Sequence, residues 1–201
     1  MMNCPQCGSE IIIHSRLAKL VNCKHCASTL LIDPTGLKKS GIESHIQNKL
    51  SLIKQGHRFI WKEQQYQPQG YIQLKHDEGY RKEWWVLDNH NNSFWLSEED
   101  ENFFLLQDVK MDKNDIPPWL SLQVNTQLQI ANKTWLVTEK RVQEYYGFQG
   151  ELPCLPHQTK TLYYTYLTGD NAESLILIFE NNQIHFRQGH WLDPFEIETV
   201  S

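Results

Sequence analysis

No long apolar run occurs in this sequence. The longest, Leu175–Phe179, falls far short of the roughly 18 residues that a membrane-spanning helix needs. No basic segment leads into an apolar one at the start, so no secretion signal is expected. Basic charge is not in excess. The 19 Lys and Arg face 24 Asp and Glu, for a net charge of −5. Bulk attraction to nucleic acid or to an anionic membrane is therefore excluded. Gly (10) and Pro (8) stay near average usage, which excludes a collagen-like or low-complexity chain. The nine His show neither HExxH nor Hx3H spacing, so no second metal site is expected.

What is present begins with cysteine. Cys4-x-x-Cys7 and Cys23-x-x-Cys26 stand fifteen residues apart. Two CxxC pairs at this spacing are the ligand pattern of a zinc ribbon. Four thiolates complete a tetrahedral Zn²⁺ shell and leave no open position for water, so the ion is expected to be structural. A redox pair would sit at a helix start in a βαβ unit, and no such pattern surrounds these cysteines. His25, between two ligands, is expected to be exposed. Residues 1–40 carry a net charge of +3 and the remainder −8. Four thiolates and one Zn²⁺ lower the first figure to about +1, which argues against nucleic-acid binding by the ribbon. Cys154 has no partner in sequence. An odd cysteine count, paired CxxC motifs and no secretion signal point to a reducing cytoplasm.

The organisation predicted is mainly β: a zinc ribbon over 1–36, one connecting helix over 37–56, and a β-sandwich or barrel-like domain over 57–201. In the ribbon, Glu10–His14, Ala18–Asn22 and Thr29–Ile32 read as short strands. Asp33-Pro34-Thr35-Gly36 reads as a turn and boundary. For the helix, Ser40 and Glu43 form an S-x-x-E capping box. Ile42, Ile46, Leu50 and Ile53 make one apolar stripe, and Gly56 ends it. Beyond residue 57 short alternating strands recur with turns every eight to twelve residues. Thr134–Thr138 and Arg141–Tyr146 are two of these, and a loop at Asp112–Trp119 separates the halves 57–118 and 119–201. Each half ends in an Asn-rich turn and a Trp strand, Asn91-Asn92 then Trp95 and Asn181-Asn182 then Trp191, which marks the halves as candidates for a degenerate repeat.

Several short motifs run through the chain in order. They are the two CxxC pairs, Glu83-Trp84-Trp85-Val86-Leu87, Trp95-Leu96-Ser97-Glu98-Glu99, Thr138-Glu139, Gly150-Glu151-Leu152-Pro153, Asp170 and Gly189-His190-Trp191-Leu192. In this order they resemble a bacterial family known as domain of unknown function 4178. Lys82 stands where that pattern has an aromatic, and Asn89–Asn92 where it carries a Gly. The resemblance implies a duplicated β-rich domain behind a zinc ribbon. It also implies an accessory role beside polyamine-metabolism and membrane-stress systems, and brings no reaction with it.

Candidate ligand-binding residues are Glu83, Trp84, Trp85, Trp95, Glu139, Glu151 and Asp170. Strand alternation puts Glu83 and Trp85 on one face and Trp84 on the other. An acidic group beside aromatic rings suits a small cation, although core packing of the tryptophans is the commoner outcome. Glu98–Glu101 reads as a solvated turn. Glu151 is placed in a loop, and Cys154 is expected to be a small buried group rather than a nucleophile with His157. The leading expectation is a non-catalytic, zinc-stabilised binding or adaptor protein with a protein partner. One alternative is an enzyme acting on a small cationic or peptide substrate through Glu83, Glu139, Glu151 or Asp170. The other is nucleic-acid binding by Arg16, Lys19 and Lys24 of the ribbon.

Overall fold

The computed structural model describes residues 2–42, 44–47, 50–114, 116–154 and 161–200. The ribbon holds β1 (Met2–Asn3), β2 (Glu10–Ile11), β3 (Leu20–Asn22), β4 (Thr29–Asp33) and β5 (Gly36–Lys39). The β-domain holds β6 (Arg58–Trp61), β7 (Gln64–His76), β8 (Gly79–Asp88), β9 (Ser93–Glu99) and β10 (Asn102–Val109). There follow β11 (Gln127–Ile130), β12 (Lys133–Leu152), β13 (Thr161–Thr168), β14 (Glu173–Glu180), β15 (Gln183–Leu192) and β16 (Glu198–Val200). Short 3₁₀ turns lie at Trp119–Ser121, Asp170–Ala172 and Pro194–Glu196.

Eight strands close on themselves. β7, β8, β9 and β10 form an antiparallel meander, as do β12, β13, β14 and β15. β10 pairs β15 and β7 pairs β12, which completes an antiparallel barrel. Closure leaves these eight strands without free edges over their shared length. The expected choice between sandwich and barrel thus resolves to a barrel. Each meander begins with one further strand outside the ring, β6 on β7 and β11 on β12. The tight turns Lys62-Glu63, Asp100-Glu101, Ala131-Asn132 and Asn181-Asn182 all have positive φ at both residues. That is the backbone of type I′ hairpins, whose twist matches the flanking strands.

The two meanders also match side chain for side chain on their outer faces. Phe94, Leu96, Phe103 and Leu105 pack with Phe59 and Trp61 in one outer cluster. Leu175, Leu177, Ile184 and Phe186 pack with Leu128 and Ile130 in another. The inner faces share a third cluster that includes Ile72, Leu74, Trp85, Trp95, Leu106, Phe148, Tyr164 and Ile176.

Two sequence expectations change here. Thr134–Thr138 and Arg141–Tyr146 are parts of one 20-residue strand, β12. A register shift between Val137 and Glu139 bends it against β13, and another between Tyr145 and Gly147 falls within its pairing to β7; Glu144 pairs with both neighbours, Thr161 of β13 and Lys75 of β7. Such bulges let one strand serve several partners. The connecting helix is absent: none of the described residues between 40 and 55 is helical, and Glu43 of the expected capping box lies outside the described residues. The segment instead lies as a strap across β12 and β7, with its polar groups bonded to them. Ser44 Oγ donates to Phe148 O and accepts from Phe148 N, and His45 N–H donates to Tyr146 O. Gln47 exchanges backbone N–H and C=O with the Gln73 side chain. Donors used in this way cannot close i→i−4 bonds. The apolar stripe is split accordingly. Ile53 is buried and Ile46 half-buried, while Leu50 is fully exposed.

Candidate functional site

The ribbon is built from two matching knuckles. Cys4 N–H donates to Ser9 O and Gly8 N–H to Cys4 O. Cys23 N–H donates to Ser28 O and Ala27 N–H to Cys23 O. Gly8 and Ala27 occupy equivalent left-handed positions, with φ of 77° and 56°. The four Sγ atoms lie within 4.8 Å of one another, with Cys4–Cys26 at 3.7 Å and Cys7–Cys23 at 3.6 Å. A tetrahedron with Zn–S bonds of ~2.3 Å has sulfur–sulfur edges of about 3.8 Å, so the cage fits Zn²⁺. Ser28, whose hydroxyl is 3.2 Å from Cys26 Sγ, draws that thiol down to about 6. Burial pushes Cys23 up to about 11. His25 is exposed and outside the cage.

The ribbon is fastened to the barrel by the end of β12. Glu151 and Leu152 pair with Val21 and Leu20 of β3. The Glu151 carboxylate accepts from His14 N–H at 2.7 Å and Ser15 N–H at 2.9 Å. Sequence reasoning placed Glu151 in a loop, whereas it is a buried strand residue with both oxygens engaged. The strand continues because Gly150 takes φ +84° against Gln69 and Gly70 of β7, where a Cβ would meet Gln69 O at 2.5 Å.

The barrel interior carries charge. Arg81, Glu83, Trp85 and Leu87 of β8 alternate with Lys82, Trp84 and Val86, and the first set points inward. Glu83 is 1% exposed and accepts from Arg187 Nη1 at 2.6 Å. Arg81 Nε lies 3.9 Å from its other oxygen, and Arg81 also donates to the Tyr166 hydroxyl. The Arg187 guanidinium stacks 4.3 Å from the Trp95 ring and donates to Asp108 at 3.1 Å. Burial opposes the Arg187 charge, but Glu83 and Asp108 more than offset it and hold the guanidinium above its usual range. Burial, reinforced by the Glu83 charge, holds the Tyr164 hydroxyl well above the usual tyrosine range. Glu83 is thus set beside an aromatic wall, and the cation it meets there is the chain's own Arg187.

The remaining candidates lie apart from one another. Trp84 faces outward and donates to Glu98 at 2.8 Å, while Trp85 donates inward to Ser93 at 2.8 Å. Trp95 donates to Asp108 at 3.0 Å. Glu139 pairs with Arg141 at one barrel rim, where Arg141 also meets Glu99 and Glu78. Asp170 is exposed in a 3₁₀ turn. Cys154 is exposed rather than buried, because β12 ends at Leu152 and releases it to the rim; His157 lies outside the described residues. Sequence reasoning missed Arg81, Lys82 and Arg187. Arg81 was legible in principle, since it stands two residues before Glu83 and so on the same strand face.

Two cavities flank these groups. One of about 830 Å³ opens at the barrel mouth, between Asp108, Glu180, His185 and Arg187. The other, of about 1000 Å³, lies between the ribbon, the strap and the outer face of β7 and β8. Among the described residues, no helix is long and apolar enough to cross a membrane.

A zinc-ribbon-headed, closed β-barrel protein is the class that this fold and cage define. The family described as Domain of unknown function (DUF4178) matches residues 54–194, and the chain belongs to that family. Residues 1–50 are similar to the family described as Ribosomal protein S27, a ribbon-like match at the N-terminus. No curated protein and no solved structure matches the chain.

Proposed function

We propose that this chain is a non-catalytic binding protein whose zinc holds the ribbon together and whose binding surface lies on the β-barrel and its ribbon junction. The observation that carries this is the dispersal of the four carboxylates an enzyme would need. Glu83 is ion-paired inside the barrel and Glu151 caps backbone N–H groups at the ribbon. Glu139 is paired at a rim and Asp170 sits in an exposed turn. A catalytic site needs such groups to converge on one reacting atom. The matched outer faces of the two meanders support reading the halves 57–118 and 119–201 as a degenerate repeat. The accessory role beside polyamine metabolism or membrane stress belongs to the same proposal and rests on the family resemblance.

The test is co-purification of the full chain with its endogenous partners, with zinc measured on the same sample and spermidine titrated into the purified protein. One zinc per chain and a stoichiometric partner are expected. Turnover of a peptide or polyamine that Glu139→Gln or Asp170→Asn abolishes in a folded protein would refute the reading. A second reading, RNA binding by the ribbon, is favoured by the S27-like match alone. It requires measurable affinity at physiological salt with a steep salt slope.

A further inference from the structure

The two meanders differ at one edge. In the first, β6 pairs with β7 on one side and with β16 on the other. In the second, β11 pairs with β12, and among the described residues it has no other strand beside it. The two strands otherwise correspond residue by residue. Trp61 and Ile130 each precede a two-residue turn of positive φ, and Phe59 and Leu128 stand two residues earlier in the outer clusters. In β6, Ile60 and Arg58 lie opposite Glu198 and Val200 of β16. Gln129 and Gln127 are their counterparts in β11. Across a two-residue turn of this type, Ile130 and Lys133 form a hydrogen-bonded pair, and alternation makes Leu128 and Trp135 the next. The backbone N–H and C=O groups of Gln127 and Gln129 therefore face the open side.

Open edges invite another chain, and stable proteins blunt them with lysine, proline, bulges or short length. The outermost strands at the two ends of the main sheet follow this rule. β5 carries Lys38 and Lys39, and β16 is three residues long with Glu198. β11 has none of these devices. It reads Gln-Leu-Gln-Ile, without charge or proline, in an unbroken register. Val124 and Leu136, the latter directly opposite Gln127, add exposed apolar surface beside it at 46% and 38%. We infer that β11 is a self-association edge, where two copies of this chain pair antiparallel about a two-fold axis through Leu128. That register sets Gln127 opposite the partner's Gln129 and Leu128 opposite the partner's Leu128, with the outward backbone groups of both glutamines hydrogen-bonded. Charge favours a second copy as the occupant. A self-paired edge must not set like charges opposite one another, and an uncharged strand meets that condition. Lys133, across the turn, is held by Glu173.

The test is sedimentation equilibrium of the full zinc-loaded chain from about 1 µM to 1 mM, a range that suits so short an interface. A reversible monomer–dimer equilibrium is expected. Gln127 and Gln129 are both exposed, so their substitution leaves the packed core alone. Gln127→Lys combined with Gln129→Lys sets lysine opposite lysine and should weaken the dimer at least about tenfold. Gln127→Lys combined with Gln129→Glu sets lysine opposite glutamate and should keep the dimer within about threefold of the unsubstituted chain. A chain that stays monomeric throughout, a dimer that survives the double lysine change, or equal loss in both double variants would each overturn the proposal. A foreign protein that co-purifies with the unsubstituted chain and is lost with the double lysine change would overturn it too, and would assign the edge to that protein's strand. The binding-protein reading above does not depend on this edge, and it stands if self-association fails.

Discussion

At the scale of single residues, the interior charge of Glu83 decides more than its position in a motif. Its carboxylate, at 2% side-chain exposure, lies between two guanidiniums at 3% and 7%, so little water can replace it. Removing one member of a buried ion pair leaves the others uncompensated and costs about 3–5 kcal/mol. Glu83→Gln should therefore lower the unfolding free energy by that order, about a third of a typical domain's stability, read as a lower urea midpoint at unchanged slope. Adding Arg187→Met should cost less than the sum of the two single changes, because the second substitution removes the stranded charge. A cation-binding role alone would leave the midpoint nearly unchanged.

The segment after the ribbon shows, at the scale of elements, how tertiary contacts overrule local propensity. Its isoleucines repeat at helical spacing, yet its backbone is fixed by Tyr146, Phe148 and Gln73. Gly147 permits this approach, since a Cβ there would meet His45 O at 1.9 Å. Gly147→Ala should therefore dislodge the strap. Hydrogen exchange should then speed up in residues 44–47 and at Phe148, with the β9–β10 hairpin still protected. The ribbon is a separable element of a different kind. Its core is small, with Cys4, Ile11, Val21, Cys23 and Leu30, and without metal the cage loses its cross-links. Chelation of zinc should expose residues 2–39 to protease. The near-ultraviolet dichroism should persist, because all seven Trp lie at Trp61 or later. Loss of both signals together would mean that ribbon and barrel unfold as one unit.

For the whole molecule, the closed barrel and the elements packed on its outer face bury several phenols along with the core. Burial raises Tyr164, Tyr66, Tyr71 and Tyr145 above the ordinary tyrosine value, with neighbouring carboxylates adding to the effect at all but Tyr145. The unfolded chain releases these protons near pH ~10 while the folded chain retains them. Stability is then full below about pH 10 and falls as pH rises through and beyond it. A urea midpoint that drops above that pH in step with tyrosinate absorbance is the expected result. An unchanged midpoint would mean that the phenols reach water in the folded state.

The cage was legible in the chain itself, because CxxC spacing constrains four sulfurs locally whatever surrounds them. The β class was legible too, through alternation and through turn residues such as Asn181-Asn182 that accept positive φ. Alternation alone even separated Trp84 from Glu83 and Trp85. Pairing between distant strands could not be read in this way. That β7 meets β12 and β10 meets β15 depends on long-range register, which leaves no local mark. Only that closure turned Glu83 towards Arg187, bound Glu151 to the ribbon, unwound the expected helix into a strap and opened a cleft beside Lys82.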